Sequence, residues 1–195
     1  MKIVFYSLLI TALVSCEKSL LLISNEKAAE FVVQGDTAAT VNGVLGKIAH
    51  KRFEKMLIEH PGVHTLILEN VPGSMNDEYN MQTGRLVREK SLTTEVRSYS
   101  KVASGGVDLF CAGKKRIIEN GAMLGVHSWS EGKKEATDYP KNDPAHNAQT
   151  SYFSEMLGDS LGPIFYFYTI YAAPADSIHW MTTDEIEYYQ LEAFE

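Results

Sequence analysis

The segment Val102-Ala103-Ser104-Gly105-Gly106 leads into the apolar stretch Val107 to Ala112. A flexible linker would stay polar; this one opens a helix. A strand, a tight turn and a helix starting at a serine place a hydroxyl beside amides that have no backbone partner. The positive end of the helix dipole lies behind them. Gly105 and Gly106 let a carbonyl approach the backbone without meeting a β-carbon. This is a setting for acyl transfer, with a nucleophile and an oxyanion hole made by its own neighbours. The plain alternative is that Ser104 is an ordinary helix cap.

Two further segments bear on that choice. Asn70-Val71-Pro72-Gly73-Ser74 is a turn straight after an apolar strand, and its exposed amides could donate to an oxyanion. Gly121-Ala122-Met123-Leu124-Gly125-Val126-His127-Ser128 ends an apolar strand in a histidine, placed to act as a general base or simply to stand in the structure. Gly158-Asp159-Ser160-Leu161-Gly162 also has a serine between glycines. The helical pattern before it, with Tyr152, Phe153, Met156 and Leu157, is the wrong context for a nucleophile elbow and reads as a break between helices. His60-Pro61-Gly62-Val63-His64 spaces two histidines by four, yet Pro-Gly prevents the helix that would aim both at a metal. No metal and no other cofactor is implied.

The elements that must position these residues follow from periodicity. Glu30 to Val33 and Val41 to Leu45, around Asn42-Gly43, read as paired strands. Ile48, Ala49, Phe53, Met56 and Leu57 recur at helical spacing until His60-Pro61-Gly62. A strand at Val63 to Leu68 precedes a second helix with Met75, Tyr79, Thr83, Leu86 and Val87 on one face. Thr93 to Arg97 is strand-like. Arg116 to Ile118 and Ala122 to Val126 are short strands about the turn Glu119-Asn120-Gly121. Ser128 to Pro144 is polar and reads as a long loop or lid. Helices are expected over Ala145 to Leu157, Leu161 to Tyr171 and from Thr182 onward. The run Ile164 to Tyr171 is apolar nearly all round, which suits a buried helix or an oligomer interface. Strands alternating with helices predict an α/β domain with a largely parallel sheet.

With 18 basic and 25 acidic residues among 195, the chain carries a formal charge of −7, which repels phosphate backbones and argues against nucleic-acid binding. Lys114-Lys115-Arg116 and Lys133-Lys134 read as solvated corners. Residues 1–15 form a leader: Lys2, then the apolar run Ile3 to Val14, too short to cross a bilayer and suited to a secretory signal. Its end, Leu13-Val14-Ser15-Cys16, resembles the lipobox of bacterial lipoprotein precursors. On that resemblance Cys16 is lipidated, residues 16–27 are a tether, and residues 28–195 are the domain. Glu17 at the next position favours the outer membrane, with the domain in the periplasm. Lipidation of Cys16 leaves Cys111 alone, in an apolar run where it serves as packing.

Three segments taken together resemble a known family. Asn-x-Pro-Gly-x, Ala-Ser-x-Gly-x-x-x-Phe-x-Ala-Gly-Lys-x-Arg and Gly-Ala-x-Leu-Gly-x-His, in this order and spacing, are similar to the Clp protease/crotonase superfamily. Within it they look most like exported Clp-like serine peptidase-related proteins of bacterial envelopes. The resemblance spans Phe31 to Leu191. It implies a spiral of ββα units with a helical segment near the C-terminus. It places Ser104 on the nucleophile, His127 on the general base and Gly105 on the residue whose amide forms half of the oxyanion hole. Ser74 falls where the family has the second glycine of a Pro-Gly-Gly turn, adding a β-carbon that would narrow or reshape the hole. The family's third member, an aspartate, aligns without gaps to Pro174, and Asp176 takes its place if the loop shifts by two residues. Asp138 and Asp143 are the other candidates. The resemblance implies a serine hydrolase acting on a peptide or acyl substrate, assembled as a homo-oligomer. Two alternatives stand: a non-catalytic envelope protein that keeps the fold for assembly or peptide binding, and an acyl-CoA enzyme, which export from the cytoplasm disfavours.

Overall fold

The computed structural model describes residues 27–193; the expected leader, Cys16 and nearly all of the tether lie outside the described residues. The first strands, β1 (Glu30–Gln34) and β2 (Ala38–Asn42), pair antiparallel across a turn at Gly35. The second strand was expected at Val41 to Leu45, and the reason it sits earlier is Gly43. This residue has φ 110, and a β-carbon on it would come within 2.6 Å of the Lys27 carbonyl oxygen, so the chain leaves the sheet there. Val44 and Leu45 are buried all the same, in the linker to helix α1 (Lys47–Glu59).

Strand β3 (Thr65–Val71), helix α2 (Asp77–Glu89) and strand β4 (Thr93–Ala103) follow, and β2, β3 and β4 run parallel. Leu66, Ile67 and Leu68 are buried in succession, as expected of a sheet covered on both faces. Asn76 caps α2 by accepting from the Tyr79 amide, and Asp77 and Glu78 fill its first turn, where negative charge suits the dipole.

Strand β4 is long because it serves two partners in series. Its first half pairs with β5 (Lys115–Ile118) and its second half with β6 (Met123–Val126), both parallel. The turn at Glu119 to Gly121 therefore does not close a hairpin; it steps the chain along the edge of β4. Where the register with β3 shifts, the buried Ser100 hydroxyl donates to the Leu68 carbonyl at 2.6 Å and accepts from the Arg97 amide.

Between β4 and β5 lies the seven-residue helix α3 (Gly105–Cys111). Cys111 is fully buried, and burial pushes its thiol up to about 12, so it is packing and not a nucleophile. After β6 the polar segment is more structured than a loop. It holds the hairpin β7–β8 (Ser130–Glu131 and Lys134–Glu135) and two 3₁₀ turns, Ala136–Asp138 and Pro144–His146. Helices α4 (Asn147–Leu157) and α5 (Leu161–Ala172) form the helical segment near the C-terminus. In α5, Phe165, Tyr166 and Ile170 enter the core, whereas Ile164 and Tyr171 are each 55% exposed. Strand β9 (His179–Trp180) pairs antiparallel with β6, and α6 (Thr183–Tyr188) closes the chain behind a capping box of Thr182 and Glu185.

Arg116 corrects one expectation. It is buried, not a solvated corner: its guanidinium donates to the carbonyls of Leu191, Gly113 and Gln190, and its backbone exchanges two bonds with Ala193. The expected α/β body of strand–helix units is the architecture observed. Among the described residues no helix is long and apolar enough to cross a membrane.

Candidate active site

Ser104 stands at the junction of β4 and α3. Its amide donates to the Gly125 carbonyl at 2.9 Å, one step beyond the Ala103–Gly125 pair of the ladder. The chain then turns into the helix at φ 52, ψ −128, a region an L-residue rarely occupies. The Ser104 side chain makes no capping hydrogen bond, so the hydroxyl is not spent on the helix end. This removes the plain reading of Ser104 as a cap.

The short helix behind it is fixed through its last carbonyls, which a helix cannot satisfy by itself. The Tyr152 hydroxyl donates to the Asp108 carbonyl at 2.8 Å, the Thr94 hydroxyl to Phe110 at 2.7 Å, and Arg88 Nη2 to Cys111 at 3.0 Å. Three separate elements, α4, β4 and α2, thus clamp the helix that presents the serine.

The turn after β3 adjoins it. Gly73 adopts φ 152, and a β-carbon there would lie 3.2 Å from the Ser104 β-carbon. The Leu45 amide donates to the Gly73 carbonyl and the Met75 amide to the Leu45 carbonyl, so the intervening Ser74 amide faces away from Leu45. Ser74 itself does not adopt a positive φ, and its hydroxyl donates to the Asp77 carboxylate. A β-carbon on Gly105 would meet the Ser74 β-carbon at 2.7 Å, so the absence of one at Gly105 makes room for the extra carbon at position 74. The buried Asn80 side chain donates to the Gly105 carbonyl at 2.8 Å and holds the first turn of α3 from α2.

His127 follows β6 directly. Because Ala103 pairs with Gly125, the parallel register carries Ser104 and His127 to the same end of neighbouring strands. Both line one cavity of about 70 Å³, together with Asp77, Asp108, Gln149, Trp129 and the apolar side chains Val126, Phe153 and Ile170. His127 Nδ1 is buried without a hydrogen-bond partner. Burial lowers the pKa of the ring, while the nearby backbone of Ala175 and Ser128 and the charges of Asp77 and Glu135 work the other way. Serine and imidazole share this cavity without a direct hydrogen bond between them.

The structure does not bring Asp176 to the imidazole. The Ala173 carbonyl accepts from the Ser128 amide and the Ala175 amide donates to Glu135 at 3.1 Å, so the loop passes the ring on its backbone. Asp176 is exposed and lies off the cavity wall. Asp138 and Asp143 bond the amides of Glu135 and Ala145 at the two 3₁₀ turns. Pro174 accepts from the Ser177 amide. Ser160 is exposed at the break between α4 and α5, as expected of a helix junction. His60 and His64 flank the end of α1, and among the described residues no three His, Cys, Asp or Glu side chains gather as metal ligands.

Sequence reasoning missed Asp108, Gln149, Asn80 and Asp77. The available signal for Asp108 was an acid inside the apolar run Val107 to Ala112, one helical turn after Ser104.

No family model and no curated protein sequence matches the chain. Solved structures do. A mutant of the membrane-bound stomatin-specific protease 1510-N, in complex with a substrate peptide, is 16% identical; the match covers 81% of this chain and 73% of that one, with a TM-score of 0.54. ClpP1 from Listeria monocytogenes is 15% identical, over 80% of this chain and 88% of that one, with a TM-score of 0.55. An enoyl-CoA hydratase from Bacillus anthracis is 14% identical, over 86% and 69%, with a TM-score of 0.52. The chain shares the fold of these protease and enoyl-CoA hydratase structures.

Proposed function

We propose that the chain is an envelope serine hydrolase of peptidase type. Ser104 Oγ attacks the scissile carbonyl while His127 takes its proton. The developing oxyanion is received by the amides of Gly105 and Ser74, and His127 returns the proton to the leaving amine. Water then repeats the sequence on the acyl-enzyme. A ring held neutral by burial suits a base at neutral pH. With no carboxylate bonded to the ring, the arrangement is a dyad whose imidazolium is steadied at a distance by Asp77 and Glu135.

The observation that carries this reading is the Ser104 backbone: an uncommon φ and ψ, a hydroxyl unused by the helix, and a cavity shared with a histidine. A fluorophosphonate probe should label the wild type and Ser160→Ala but not Ser104→Ala. A folded wild type that stays unlabelled would remove the proposal. The competing reading is a non-catalytic envelope protein that binds peptides, favoured by the missing Ser104–His127 bond and by the absence of an acid on the ring. The reading extends to anchoring through Cys16 at the outer membrane, facing the periplasm, and to self-assembly through the exposed Ile164 and Tyr171 of α5. Metabolic labelling with a fatty-acid analogue, abolished in Cys16→Ser, tests the anchor.

A further inference from the structure

We infer that the cavity beside Ser104 is a selectivity pocket for a straight side chain that ends in a cation, a lysine-like residue on the acyl side of the bond to be cut. The cleavage part of this inference rests on the hydrolase reading; the binding part does not.

Charge is the first argument. Two carboxylates, Asp77 and Asp108, line the cavity, and no lysine or arginine does. His127, which also lines the cavity, is kept toward its neutral form by burial. Asp108 lies one turn beyond Ser104 on the same helix, and the Tyr152 hydroxyl goes to its backbone carbonyl, not to its carboxyl. Burial, with the charge of Asp77 adding to it, holds that carboxyl well above the ordinary carboxylate range. A buried acid without a counter-charge is unfavourable, and an entering ammonium group removes the penalty.

Hydrogen bonding is the second. Gln149 Oε1 on α4 is buried without a donor, in the same wall. A cavity lined by two acids and an unused amide oxygen calls for a ligand rich in N–H groups.

Size is the third. A cavity of about 70 Å³ holds a chain of a few atoms. It is roughly half the volume of an apolar cavity that admits a benzene ring. An unbranched aliphatic chain would run its methylenes along Val126, Phe153 and Ile170.

The test uses peptides identical except for the final residue, lysine, its apolar isostere norleucine, or phenylalanine. They are titrated by calorimetry against the full chain carrying Ser104→Ala. Lysine should bind about tenfold or more tightly than norleucine. Asp108→Asn should erase the difference, and Asp77→Asn should reduce it, which provides a second variant if the first does not fold. Equal affinity, a preference for norleucine or phenylalanine, or no binding of any peptide overturns the pocket. The corresponding aminocoumarin substrates, given to the wild type, should follow the same order in kcat/KM. Fluorophosphonate labelling without lysine preference would sink the pocket and keep the hydrolase. Lysine-selective binding without labelling or cleavage would sink the hydrolase and keep the pocket.

Discussion

Ser104→Gly and Ser104→Ala both remove the hydroxyl, so their difference isolates the backbone. At φ 52, ψ −128 an L-residue is strained, at a cost of about 1 to 3 kcal/mol. Alanine keeps that strain; glycine releases it. Against this, glycine raises the entropy of the unfolded chain, worth about 0.5 to 1 kcal/mol. The balance leaves the glycine variant more stable by roughly 1 kcal/mol, or about 2–4 °C in Tm for a domain of this size. The Ser104 side chain makes no cap bond, so no lost contact confuses the comparison. Thermal and urea unfolding of both full-length variants, followed by circular dichroism, would measure it. An alanine variant as stable as the glycine variant, or more so, would show that the junction is unstrained and would refute the reasoning from this backbone.

Three more outcomes are expected. Because burial lowers the His127 pKa, the acidic limb of kcat/KM should fall below the ordinary histidine value of 6.5, and a limb at or above it would contradict the site's electrostatics. Gly84→Ala puts a carbon 2.0 Å from the Tyr152 hydroxyl oxygen, so it should cost about 2 to 4 kcal/mol; Tyr152→Phe alone should cost about 1 kcal/mol. The double variant should be less damaging than the sum of the two, as a denaturation cycle would reveal. Burial would raise the Glu185 carboxyl, yet hydrogen bonds from Thr182 and His179 bring it down to about 2. This depressed acid contributes stability fully present above the ordinary 4.5 and lost as pH falls toward 2. Glu185→Gln should therefore destabilise the chain at pH 7 by about 1 kcal/mol, solvent screening the rest of the shift, with the difference from wild type vanishing near pH 2 in urea melts.

What the sequence revealed and what it hid divide along physical lines. Ser104 and His127 were legible as candidates through local patterns, a serine and two glycines ahead of an apolar helical run and a histidine closing an apolar strand, and the parallel register of β4 and β6 brings them to the same end. Asp176 was not placed correctly by reading along the chain. Its loop is set by the Ser128 amide, which donates to Ala173, and by the Glu135 carboxylate, which accepts from Ala175, partners distant in sequence. Strand β9 spans two residues and exists only through its pairing with β6, so no periodicity announces it. Arg116 shows the opposite failure: a basic run looks solvated until the C-terminal carbonyls that receive it are known. The concern that a serine at position 74 would distort the turn came from its type alone, whereas its consequence depends on the bare α-carbon of Gly105 opposite.

The clamp on α3 couples two parts of the molecule with different tasks. Ser104 and His127 are tied to adjacent strands through the Gly125 carbonyl, whereas Gln149, Phe153 and Ile170 belong to α4 and α5. On the proposed reading the groups that select for charge, Asp77 and Asp108, stand on α2 and α3 beside the serine, whereas the helical pair carries Gln149 and part of the apolar wall. Substitutions along the helical pair would therefore alter the fit of an incoming chain's methylenes before they alter the charge it meets.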